Sequence, residues 1–252
     1  MTAQRPTAVA NRDVLLEAHA LNGWYAAAQV LHDVSLQVRR GQVVALMGRN
    51  GAGKSTLLKA LMGLLPRRSG QIHFLGHDIS RAAPYQIARL GLGYVPEDRR
   101  IFSDLTVREN LDVGRQMPRR WPDGAPAPEW TPDALFTLFP NLATMTGRLG
   151  GRMSGGEQQM LSVARTLMGN PLLVLLDEPS EGVAPVIVEQ MVHSIRQLKR
   201  QGVGILLSEQ NLFFASQVAD YAYVLEKGQV RHQSTMAELL ADEATRQAYL
   251  AL

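Results

Sequence analysis

The nine residues "GRNGAGKST" at 48–56 constrain this chain more than any other stretch. They follow an apolar run, "VVALM", and open a segment, "LLKALMGLL", whose apolar residues recur at helical spacing. Gly48, Gly51 and Gly53 let the backbone curl so that its N–H groups point inward. The helix that follows adds the positive end of its dipole. A buried strand, a glycine-rich turn and a helix start, in that order, form a cradle for phosphate groups. Asn50 lies within the cradle. Lys54 is placed to reach β- and γ-phosphates, Ser55 to ligate Mg²⁺, and Thr56 to bind a phosphate oxygen.

A second signal is "LLVLLDEPS" at 172–180. An apolar run that ends in Asp puts that carboxylate at the carboxyl edge of a sheet, where open α/β folds bind ligands. Asp177 is then expected to hold Mg²⁺ through water opposite Ser55, and Glu178 to orient and polarise an attacking water. A third signal is "RMSGGEQQMLSVARTLM" at 152–168. Ser154, Gly155 and Gly156 precede an amphipathic helix, and a helix start with small residues is a second anion site. One nucleotide needs one phosphate cradle. The surplus suggests a dimer in which each chain's second site caps the nucleotide of its partner. Taken alone, "SGG" reads as a helix cap.

Composition removes several alternatives. The 252 residues carry 26 basic and 23 acidic side chains, a net charge of +3, too mild to argue for a nucleic-acid partner. There is no cysteine, so there is neither a disulfide nor a thiolate metal site, which fits a reducing compartment. The start, "MTAQRPTAVANRD", lacks the apolar core of a secretory signal. The longest apolar runs are far shorter than the roughly 20 residues of a membrane helix. The expectation is a chain soluble on its own that docks on other subunits if it works at a membrane.

Strand and helix patterns alternate along most of the length. A half-buried strand pattern covers 13–40, and short helices are expected at 84–90, 185–200 and from 211. The reading is an α/β fold: a phosphate-loop ATPase core with a mostly parallel sheet, an antiparallel β part near the N-terminus, and an inserted α-helical lobe. The expected division is a polar tail over 1–12 and one domain over 13–252. Its core takes 13–97 and 171–252, and its helical lobe takes about 98–170. Trp121 and Trp130 flank a Pro-rich linker and are expected to anchor it on the helical lobe.

In that order, "GRNGAGKST", "MSGGEQQ" and "LLVLLDEP" make the chain resemble the nucleotide-binding subunit of an ABC transporter from about residue 13 onward. "YVPEDRRIFSDLTVREN", "DEPSEGVAP", "YVLEKG" and the ending "RQAYLAL" resemble the ATPases of branched-chain amino acid importers and their urea and amide relatives. The resemblance implies ATP and Mg²⁺ as cofactors, and ATP hydrolysis that drives import through separate permease subunits. It implies two permease partners, a second ATPase chain (a copy or a sister), an indirectly linked solute-binding protein, and a place on the cytoplasmic face of the inner membrane. It places Tyr25 as the aromatic that stacks on adenine, Glu97 where many relatives have a glutamine that senses Mg²⁺ and the γ-phosphate, and 98–105 where the membrane partners dock. Glu181 departs from the leucine or alanine often seen in its loop, and either tunes the dimer contact or faces solvent. Gln210 replaces a frequent histidine. Its amide is a neutral donor and suits a phosphate sensor that does not titrate. A non-transport ATPase of the same family and a regulatory nucleotide-binding module are the alternatives. The intact Glu178 speaks against the second, and the absence of a fused second cassette or basic insertion against the first.

Overall fold

The computed structural model describes residues 13–250; the stretch 1–12, expected as a polar tail, lies outside them, as do 251 and 252. Two sheets organise the chain. The first is antiparallel and built early, from β1 (Val14–Tyr25), β2 (Ala28–Arg39), β4 (Arg67–Phe74) and the short β5 (His77–Asp78), in the order β2-β1-β4-β5. Into the second go β3 (Val43–Met47), β6 (Leu92–Val95), β7 (Leu173–Asp177), β8 (Gly204–Glu209), β9 (Tyr221–Glu226) and β10 (Gln229–Thr235). Its order is β10-β9-β3-β8-β7-β6, with every pair parallel except β10 on β9.

The apolar runs of β3, β7 and β8 are buried along their whole length, as strands covered on both faces must be. Because side chains alternate, each strand feeds two cores. Val43, Ala45, Met47, Val174, Leu176, Ile205 and Leu207 point into one core. Val44, Leu46, Leu173, Leu175 and Leu206 point into the other. The first core is closed by α6 (Gly155–Leu167), α7 (Pro185–Arg200) and α8 (Leu212–Val218). The second is closed by α1 (Lys54–Leu61), α2 (Pro84–Leu90) and the antiparallel sheet. Between β6 and β7 the chain is helical, with α3 (Val107–Gly114), α4 (Pro132–Leu138), α5 (Pro140–Ala143) and α6. It ends in α9 (Met236–Ala241) and α10 (Glu243–Tyr249).

The linker before α4 is anchored differently from the expectation. Trp130 does join the core beneath α4 and α6. Trp121 instead joins the opposite core, beside Leu172 and Leu173, with the Arg40 guanidinium 4.1 Å from its ring centre. Arg40 also pairs with Asp123 at 2.9 Å. The linker therefore straps back onto the first part of the chain. An indole with a cation stacked on it finds more contact there than on a short exposed helix.

One turn holds the phosphate loop against the antiparallel sheet. Lys227 and Gly228 both have positive φ, 49° and 73°, and form a two-residue connection between β9 and β10. The Gly228 N–H donates to Ala52 O at 2.8 Å, and its carbonyl accepts from His32 N at 2.9 Å. A Cβ at Gly228 meets Val30 O at 1.7 Å. Gly228→Ala is therefore expected to lower stability by about 2 kcal/mol or more and to weaken ATP binding through displacement of Ala52. Denaturant unfolding and nucleotide titration check the two effects.

Candidate functional site

Parallel pairing brings distant chain segments to one edge. Met47 is level with Glu209, Asp177 with Ser208, and Val95 with Leu176. The loops leaving these strands carry Gly48–Lys54, Glu97, Glu178 and Gln210 to the same place. They enclose a cavity of about 370 Å³, lined by Asn50, Gly51, Gly53, Lys54, Ser55, Thr56, Glu97, Glu178 and Glu181, with Val30 at its side.

Asp177 is 1% exposed. Three hydroxyls hold its carboxylate. Ser55 donates to Oδ1 at 2.8 Å and Ser208 to the same oxygen at 2.7 Å, while Tyr94 donates to Oδ2 at 3.1 Å. Burial, with the Asp177 charge behind it, pushes the Tyr94 phenol far up, so it stays a neutral donor. The Ser55 hydroxyl, which lines the cavity, and the Asp177 carboxylate behind it are hard oxygens side by side. That donor set fits Mg²⁺, which takes one or two carboxylates and completes its shell with water and substrate phosphates.

Glu178 follows Asp177 with φ of 47°, a left-handed backbone for a non-glycine residue. Its N–H donates to Ser208 Oγ at 3.0 Å, and this turn sends the side chain back into the cavity. There Oε1 lies 3.1 Å from Lys54 Nζ, and both side chains are buried. Lys54 also donates to the carbonyl of Gly48 at 2.8 Å. On the other carboxylate oxygen, Gln210 Nε2 donates to Oε2 at 3.3 Å. So Gln210, expected beside phosphate, grips Glu178 here. The 1%-exposed Glu209 accepts from the backbone N–H groups of Ser180 and Asn211, each at 3.1 Å, and ties the loop after Glu178 to the start of α8.

Other expected residues sit elsewhere. Tyr25 ends β1, 43% exposed and outside the lining of the cavity. Ser154 caps α6 by accepting from Glu157 N, and Glu157 accepts in return from Ser154 N at 2.7 Å. Gly155 and Gly156 are packed under Arg99 and Ile187, where a Cβ would come within 3.0 Å of each. None of these three lines the cavity. Tyr94, Ser208 and Glu209 were missed from sequence. The polar pair closing the apolar run "GILLSE" was the available signal for Ser208 and Glu209. Nothing local marks Tyr94.

Glu181 faces the cavity and hydrogen-bonds Glu178. That bond, partial burial and repulsion from Glu178, Glu97 and Glu209 push its carboxyl up to about 7. Burial pushes Glu178 up too, but its hydrogen bonds from Glu181 and Lys54 and the Lys54 charge hold it below the ordinary glutamate value. Of the two, Glu181 is the weaker acid and Glu178 the stronger. A carboxyl whose value is raised in the fold stabilises it fully below the unfolded value of 4.5, and that contribution is lost as pH rises towards about 7. Glu181→Gln is expected to flatten this part of the stability profile. Denaturant unfolding between about pH 5 and 8, compared for the two proteins, reads it directly.

Comparison with known proteins agrees with this geometry. Residues 31–181 match the ABC transporter family. The chain is 44% identical over 236 residues to the high-affinity branched-chain amino acid transport ATP-binding protein BraG of Pseudomonas aeruginosa, covering 94% of this chain and 99% of that one. It is 35% identical over 235 residues to the lipopolysaccharide export system ATP-binding protein LptB of Escherichia coli K12, covering 93% and 96%. Among solved structures, an ATP binding subunit of an ABC transporter superposes with a TM-score of 0.76 at 30% identity, covering 94% and 96%. A phosphate loop and an Asp-Glu strand end brought to one cavity, in a chain matched over 94% of its length to such a relative, place it in the ABC transporter family as an ATP-binding and ATP-hydrolysing subunit.

Proposed function

We propose that this chain powers the uptake of branched-chain amino acids, or of related small polar solutes, through separate permease subunits at the cytoplasmic face of the inner membrane. The convergence of Lys54, Ser55, Asp177 and Glu178 on one cavity carries the chemical part of this reading. The likeness to BraG carries the cargo class. Among the described residues no helix is long and apolar enough to cross a membrane, so membrane association runs through partners.

The loop N–H groups and Lys54 receive the β- and γ-phosphates of ATP. Ser55 and Asp177 would hold Mg²⁺, and Glu97 lines the same cavity. When bound, the ion neutralises charge that develops on the phosphate oxygens. Lys54 leaves Glu178 for the phosphates, which frees the Glu178 carboxylate to orient and polarise the attacking water. Gln210 donates from the side of Glu178, towards the γ-phosphate. Ser154, Gly155 and Gly156 serve the nucleotide of the second ATPase chain, a copy or a sister, and Tyr25 stacks on adenine.

The permease docks in a second cavity, of about 550 Å³, between α2, α3 and α6. Tyr85, Phe102 and Val113 are 61%, 47% and 54% exposed there and offer apolar surface for a partner to cover. Arg89, Arg100 and Arg165 rim it. The loop beneath is rigid. Asn110, fully buried, accepts from Phe102 N and donates to the carbonyls of Phe102, Leu105 and Thr106.

Three measurements test this reading. Glu178→Gln is expected to lower ATP turnover by about 10²–10⁴-fold. Tagged and supplied with ATP and Mg²⁺, that variant should bring two multi-span permeases and an ATPase partner out of solubilised membranes, whereas recovery of soluble partners alone sinks the transport assignment. Gln210→Ala is expected to lower kcat about tenfold, the loss of one donor to a charged group, and wild-type turnover would remove Gln210 from the machinery.

A further inference from the structure

We infer that Tyr94 is a positioning residue for the metal-binding carboxylate of Asp177, and that it places this carboxylate under the influence of whatever fills the groove between α2, α3 and α6. The inference rests on the reading of Asp177 as a Mg²⁺ ligand.

Tyr94 lies in β6, the edge strand, level with Leu175 of β7. Tyr94 lines the 550 Å³ groove together with Arg100, Phe102 and Arg165. Its hydroxyl lies at the other end of the side chain, on Asp177 Oδ2. A rigid phenol therefore spans from the groove to the phosphate cavity in one residue. The two oxygens of Asp177 are served unequally. Oδ1 takes both Ser55 and Ser208, while Tyr94 is the side-chain donor on Oδ2. When Ser55 turns to the metal, Ser208 and Tyr94 remain, one on each oxygen, and together they fix the carboxylate plane. Without the phenol the carboxylate keeps Ser208 alone and turns more freely about its terminal torsion, which is broad for Asp. Preorganised ligands of this kind commonly hold a tenfold or larger share of metal affinity.

The groove gives the contact its second meaning. Three residues beyond Tyr94 the chain reaches Glu97, which lines the phosphate cavity. A helix seated against Tyr85, Phe102 and Val113 presses on the face of the Tyr94 ring, and any shift of the ring moves the hydroxyl on Asp177. Docking and metal geometry are thereby joined through one packed side chain with a polar tip, without a moving loop.

Mn²⁺ binding, read by electron paramagnetic resonance on the protein loaded with ATPγS, tests this without reference to turnover. Tyr94→Phe keeps the ring and removes the donor. It is expected to weaken Mn²⁺ binding about 3–10-fold while ATPγS affinity in EDTA, the control for an intact fold, stays at the wild-type value. Asp177→Asn is run beside it. If Asp177→Asn leaves Mn²⁺ affinity unchanged, the metal reading itself is wrong. If Asp177→Asn weakens binding and Tyr94→Phe does not, the metal reading stands and the positioning role is overturned. Val113→Trp, which adds bulk inside the groove, completes a double-mutant cycle. It is expected to change Mn²⁺ affinity at least about threefold with Tyr94 present and to have no effect in Tyr94→Phe. An equal effect in both backgrounds, or none in either, overturns the link between groove and metal site.

Discussion

A carboxylate taken almost wholly out of water must be given donors, and much of this molecule is arranged around that demand at Asp177. Its three hydroxyl partners come from α1, β6 and β8, separated from it by 122, 83 and 31 residues. No single segment could supply them. The parallel sheet does, because its register sets Asp177 level with Ser208 and runs β6 alongside β7. The sheet in turn is held by two cores that draw alternate residues from the same strands. Loss of either core would leave half of each central strand unpacked and the carboxylate without its neighbours.

Around this fixed centre the charges are poised rather than satisfied. Lys54 and Glu178 form a buried pair inside a cavity sized and lined for phosphate. Such a pair is sound while both members are present, but removal of one leaves an uncompensated buried charge. An incoming triphosphate resolves this, since it gives Lys54 a stronger partner and leaves Glu178 ionised. Glu181, whose carboxyl is raised by its hydrogen bond to Glu178 and by repulsion from Glu178, Glu97 and Glu209, is the weakest acid of this carboxylate cluster. Gln210, a neutral donor, adds a hydrogen bond to Glu178 without adding a titrating group.

The two cavities share one structural member. β6 presents Tyr94 to the groove and leads through Pro96 to Glu97 at the phosphate cavity. The groove wall beyond it is stiffened by Asn110, whose side chain makes four hydrogen bonds to the backbone of 102–106.

Local chemistry made much of this readable in advance. Glycine spacing before a helical pattern marks a phosphate cradle, an apolar run ending in Asp marks a sheet edge, and the 3.6-residue period over 185–200 matches α7 (Pro185–Arg200). The α/β class, with its antiparallel part and mostly parallel sheet, follows from the same periodicities, and family membership from the order of the motifs. What the sequence left open are contacts made through space. Tyr94 is one aromatic in a short strand until β6 lies beside β7. Trp121 looks like a neighbour of the helical segment until Arg40 stacks on it. Gln210 also reaches a carboxylate, because the left-handed turn at Glu178 brings one beside its amide. Periodicity and turn chemistry act over a few residues, so the chain alone determined the elements, the motifs and the kind of site. Which side chains meet at Asp177 and Glu178 was decided by strand order and register, because only a finished sheet converts sequence distance into contact.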